Sequence, residues 1–76
     1  MTDTLYLKSI LVRRGVTFEY VSEQMGLSKT SLSYKINNKR QFTATEIVKL
    51  SNILNLTANE RDEIFFGENV DFKSTN

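Results

Sequence analysis

The chain has 76 residues, a formal net charge of +1, no Cys, no His and no Pro. This length supports one small domain, which buries only about 60% of the surface its unfolded chain would expose. Without Cys there is no disulfide or thiolate metal site, and without His the commonest general base and metal ligand are missing, so no enzyme, catalytic residue, metal or cofactor is expected.

The first helix is expected from about Leu5 to Arg14, with Leu7, Ile10 and Leu11 at helical spacing, and it stops at Gly15. Residues Met1 to Thr4 are expected to be frayed. Arg13 and Arg14 in the last turn favour the helix dipole, which is a sufficient structural reason for both. Thr17 then caps a second helix running to Met25, with Val16 placed to staple onto Val21. Gly26 follows, where a helix end needs left-handed backbone. Ser28 caps a third helix, and Leu27 and Leu32 have staple spacing across its start. Leu32 and Ile36, four apart, share one face, which leaves Lys29, Thr30, Ser31, Ser33, Tyr34 and Asn37 on a polar surface free of carboxylates.

On these residues, from Phe18 to Asn37, the chain resembles a helix-turn-helix DNA-binding domain of the phage repressor and Cro type, over roughly Leu7 to Thr57. Val21 stands at the family's apolar position, Ser22 at its small position, Gly26 at its turn glycine, and Leu27 and Leu32 at its buried positions. The pattern departs in three places: Phe18 replaces a frequent glutamine, Ser22 the usual alanine, and the late apolar position falls on Lys35 with Ile36 one residue later. Phe18 cannot make a glutamine's hydrogen bonds, and packing against helix one or a loop is its expected role.

The loop NNKRQF, residues 37 to 42, carries an Asn pair suited to turn backbone and the consecutive cations Lys39 and Arg40. Thr43 to Glu46 is a capping box that opens a fourth helix, with Phe42 and Ile47 at staple spacing. Ile47, Leu50, Ser51 and Leu54 form a stripe expected to close the core against helices one and three, and Asn55 ends the helix. A second capping box, Thr57 to Glu60, starts a fifth helix expected to finish near Gly67, with 68–76 as a tail that is disordered from Lys73. Ile64, Phe65 and Phe66 cannot all face one narrow stripe, so either one is singly exposed or they belong to an interface.

Charge is unevenly spread. Residues 1–56 hold eight Lys or Arg against four acids, and residues 57–76 hold two against five, so a basic body carries an acidic end. No run approaches the roughly 18 apolar residues of a membrane span. The N-terminal MTDTLYLKS lacks signal-peptide sections, so a cytoplasmic location is expected, without a membrane or small-molecule partner.

The expected fold is an all-α, compact five-helix bundle; the resemblance implies the lambda-repressor-like type, with residues 5–67 as the domain and 18–37 as its motif. It also implies a transcriptional regulator of a phage genetic switch in a bacterial host cell, bound to double-stranded DNA. On that resemblance Lys29, Thr30 and Tyr34 fall at base-contacting positions, while Ser28, Ser31, Ser33, Lys35, Lys39 and Arg40 fall near phosphates. The last helix, with Ile64, Phe65 and Phe66 extended by Val70 and Phe72, would form a homodimer contact, and the site would be an inverted repeat. Two subunits neutralising about four phosphates each would give a log-log salt slope near −7. The alternative is a modulator or antirepressor of the same fold, acting on a partner repressor protein and not on operator DNA.

Overall fold

The computed structural model describes residues 1–74, with side chains described through Gly67. Five helices follow in order: α1 (Thr4–Arg14), α2 (Phe18–Met25), α3 (Lys29–Ile36), α4 (Ala44–Ile53) and α5 (Ala58–Ser74). Among the described residues there is no strand, so the all-α five-helix fold expected from the sequence is the one observed.

Cap chemistry sets almost every boundary. Side-chain oxygens of Asp3, Thr17, Ser28 and Thr43 accept the N–H of Tyr6, Tyr20, Ser31 and Glu46, which satisfies donors that the first helical turn leaves orphaned. Thr57 and Glu60 form the same reciprocal capping box at α5 that Thr43 and Glu46 form at α4. The first four helices end on left-handed residues, Gly15, Gly26, Asn38 and Asn55, with φ from 53° to 71°. At each, the following N–H reaches back to a carbonyl one turn inside the helix, as Leu27 does to Ser22 at 3.0 Å and Lys39 does to Tyr34 at 2.8 Å.

Leu7, Ile10 and Leu11 of α1, Val21 and Met25 of α2, Leu32 and Ile36 of α3, and Leu50 and Leu54 at the end of α4 meet in one core with Phe42, Ile64 and Phe65. Phe18 packs against its edge. Ser22 is buried, and its hydroxyl donates to the Glu19 carbonyl at 2.8 Å, so the small polar side chain costs no unsatisfied group. α4 packs most closely against α2 and also against α5, while Leu50 and Leu54 join the α1 and α3 residues in the shared core, as its stripe was expected to do. Periodicity establishes that α4 has an apolar face; it carries no direction towards a particular neighbour. Arg14 fastens α1 to the α4–α5 junction, donating from Nε to the Leu54 carbonyl at 2.9 Å and from Nη2 to Glu60 at 3.3 Å.

Both chain ends differ from expectation. The first residues are tied down: Thr2 N–H donates to Asn38 Oδ1 at 2.8 Å, and Asn38 Nδ2 returns a bond to the Thr2 carbonyl at 2.9 Å. The Asn38 amide thereby stands in for a backbone pairing partner. Asp3 N–H donates to the Ile64 carbonyl at 2.7 Å, and the Thr4 hydroxyl to the Ile36 carbonyl at 2.6 Å. At the other end α5 does not stop at Gly67, which lacks the positive φ that a glycine stop requires. The helix instead kinks at Phe66 (φ −132°, ψ 15°) and runs to Ser74, so residues 68–74, Lys73 and Ser74 included, are helical rather than a tail. The side chains of Val70 and Phe72, and all of Thr75 and Asn76, lie outside the described residues.

Candidate functional site

The outer surface of α3 is held at a fixed angle to α2 by the left-handed Gly26 and the Ser28 cap. Ser28 Oγ accepts the Ser31 N–H at 3.1 Å and donates to Ser31 Oγ at 3.0 Å, so both hydroxyls have internal partners at the helix start. Lys29 and Thr30 follow, both exposed. Lys29 Nζ lies 3.0 Å from Glu19 Oε2 of α2, with the two side chains 62% and 66% exposed. A pair so open to water contributes little to folding and is readily exchanged for another partner.

One turn beyond Thr30 comes Tyr34, on the same side of the helix and 39% exposed. The structure brings Lys39 and Arg40 onto its ring: Lys39 Nζ is 5.7 Å and the Arg40 guanidinium carbon 5.6 Å from the centroid. Their backbone N–H groups both donate to the Tyr34 carbonyl, at 2.8 and 3.2 Å. Two cations are thus anchored beside an aromatic ring at the C-terminal end of α3. Ser33, half-buried, accepts from Asn37 Nδ2 at both its carbonyl and its hydroxyl.

Lys35 corrects the sequence expectation. Its side chain is only 12% exposed, and its Nζ lies 3.0 Å from Glu46 Oε1 and 3.3 Å from the Gln41 carbonyl. It ties the end of α3 to the start of α4 and is not offered to a phosphate. The physical reason is register, since Lys35 occupies an otherwise inward position and buries its stem while its ammonium finds a carboxylate. Burial pushes the Glu46 carboxyl up, but the Thr43 N–H, the hydrogen-bonded Lys35 ammonium and the Thr43 hydroxyl outweigh it and hold the group below its usual range.

The three residues expected at an interface also part company. Ile64 is fully buried and Phe65 nearly so, with the Phe65 ring edge-on to Phe42 at 5.5 Å and 82°. These two are core residues of the single chain. Phe66, at the kink, is 42% exposed and borders a cleft of about 230 Å³ with Met1, Thr2, Asn38, Gln41, Phe42, Ile47 and Phe65. Sequence reasoning missed Glu19, Asn38 and Glu46. Only Glu46 had a local signal, its place in a capping box; the partners of the other two are set by the turn and by the returning N-terminus.

No helix among the described residues is long and apolar enough to cross a membrane. No curated protein and no solved structure matches the chain. Residues 5–68 match the phage-associated family DUF739, described as a protein of unknown function, and at that coverage the chain belongs to it.

Proposed function

We propose that this chain is a DNA-binding regulator that presents α3 to the major groove, with α2 and α3 acting as a helix-turn-helix. The observation that carries this is the Tyr34 ring flanked by Lys39 and Arg40, on the helix side that also bears Lys29 and Thr30. With the α3 N-terminus entering first, Lys29 and Thr30 face base edges, and Tyr34 reaches a base or phosphate at the far end. Lys39 and Arg40 neutralise backbone phosphates and set register. Ser28, Ser31 and Ser33 have internal partners, and their phosphate role is secondary.

With Lys35 engaged internally and Lys29 facing base edges, Lys39 and Arg40 remain for phosphates on each protomer, which lowers the expected salt slope for a bound pair from about −7 to about −4. Fluorescence anisotropy with the DNA flanking its own gene, against a scrambled duplex of equal length, tests this between 50 and 200 mM salt. Preference for the native duplex, weakening about 10²-fold over that range, is expected. Absence of salt-sensitive binding to either duplex contradicts it.

A second reading, a modulator that docks on a partner regulator protein, is favoured by one observation, the half-exposed Phe66 beside a cleft of mixed polar and apolar lining. It requires binding to a partner repressor protein that Phe66→Ala abolishes while the protein stays folded.

A further inference from the structure

We infer that Glu19 and Lys29 act as one unit that reads a single G·C base pair, with Glu19 as a specificity-determining residue; this rests on α3 being the DNA-facing helix. Ten residues separate the two in sequence, and the Gly26 turn brings Oε2 and Nζ to 3.0 Å across the α2–α3 junction. Both side chains point into solvent, and Lys29 is the first residue of α3, the end that enters the groove.

The chemistry of the pair matches one base-pair edge. A lysine ammonium has three donors and no acceptor, and a carboxylate only accepts. With one donor held by Glu19, two remain for guanine O6 and N7. In the same G·C pair the cytosine N4 amino group lies beside guanine O6, about 2.9 Å away as Watson–Crick partners are. A donor and an acceptor 3.0 Å apart therefore meet an acceptor and a donor of nearly the same spacing. The reversed C·G pair sets N4 against the ammonium and O6 against the carboxylate, and A·T makes the same mismatch. T·A keeps the O4 and N6 match but puts a methyl where N7 stood. The expected order is G·C, then T·A, with A·T and C·G last.

Glu19 also acts on non-specific binding. A free lysine takes any phosphate, but a phosphate approaching Lys29 meets the Glu19 carboxylate, whereas guanine acceptors carry no net charge. The penalty falls on the wrong ligand more than on the right one, which is how repulsion generates specificity.

The test is selection from a random-sequence duplex pool with the wild-type chain, Glu19→Ala, Lys29→Ala and the double variant. It is paired with anisotropy on one fixed scrambled duplex and circular dichroism to confirm folding. For the wild-type chain, one position per half-site should select G·C. Lys29→Ala should erase that selection. Glu19→Ala should reduce it about tenfold at that position alone while binding the scrambled duplex several-fold tighter, and adding it to Lys29→Ala should change base preference no further. Unchanged selection at the Lys29-dependent position in Glu19→Ala, with salt-sensitive binding intact, overturns the pair and leaves the DNA-binding proposal standing. Failure of the wild-type chain to bind any duplex overturns both.

Discussion

Lys29 and Lys35 stand on the same short helix, and each lies 3.0 Å from a glutamate, yet the two pairs are different objects. Lys29 and Glu19 are 62% and 66% exposed; Lys35 and Glu46 are 12% and 20% exposed. In the first pair, water competes with every contact and the ammonium can exchange partners at little cost. In the second, the carboxylate also accepts the Thr43 N–H at 2.9 Å, and removing the lysine leaves a poorly solvated charge behind. Distance alone does not assign a role to a charged residue. Burial makes one end of α3 a structural rivet and leaves the other end free to meet a ligand.

Lys35→Ala is the largest expected break in that comparison. It should lower unfolding stability by about 1–3 kcal/mol in urea denaturation, while Lys29→Ala should stay within about 0.5 kcal/mol of the wild-type chain. Equal effects of the two substitutions would mean that burial does not distinguish the pairs. Gly26→Ala should cost about 1–2 kcal/mol, because an alanine there would hold φ near +71°. An added Cβ meets no atom within 4 Å, so that cost is backbone strain and not a clash.

Acid should single out the buried pair. Glu46 has a folded pKa below its unfolded one, so its contribution is fully present above the ordinary carboxylate range and is lost as pH falls through the depressed folded value. The stability gap between the wild-type chain and Glu46→Gln should therefore narrow as urea midpoints are followed from neutral to acid pH. A gap that widens on acidification would reverse the assigned sign. A smaller effect than that of Lys35→Ala is expected at Asn38: Asn38→Gly keeps the left-handed turn but removes the bonds to Thr2, at about 1 kcal/mol. Loss of N-terminal amide protection in hydrogen exchange would mark the released clamp.

Cap chemistry makes most of the fold legible in the sequence. Thr17, Ser28, Thr43 and Thr57 announce helix starts, and Gly15 and Gly26 announce ends, because each acts on backbone within one turn of itself. What was not legible was non-local. The Asn38–Thr2 clamp joins residues 36 apart, and no pattern near Asn38 marks it. The partner helices of α4 depend on how three other elements arrive. The Ile64, Phe65, Phe66 run shows that one ring must turn outward, but which one depends on the kink at Phe66. Within the candidate site, exposure of Lys29, Thr30 and Tyr34 followed from the Leu32 and Ile36 spacing. The inward position of Lys35 was visible only as an irregularity in the apolar register, where the charge was expected near a phosphate.

The most direct test of the proposed DNA interface is a backbone-amide NMR titration of the labelled chain with the duplex flanking its own gene, at low salt. Chemical-shift changes concentrated in residues 28–40 and at Glu19, and absent around Ile47 and Phe66, are the expected result. Changes centred on the Phe66 cleft, or none with any duplex, would contradict the assignment of α3 as the DNA-facing helix.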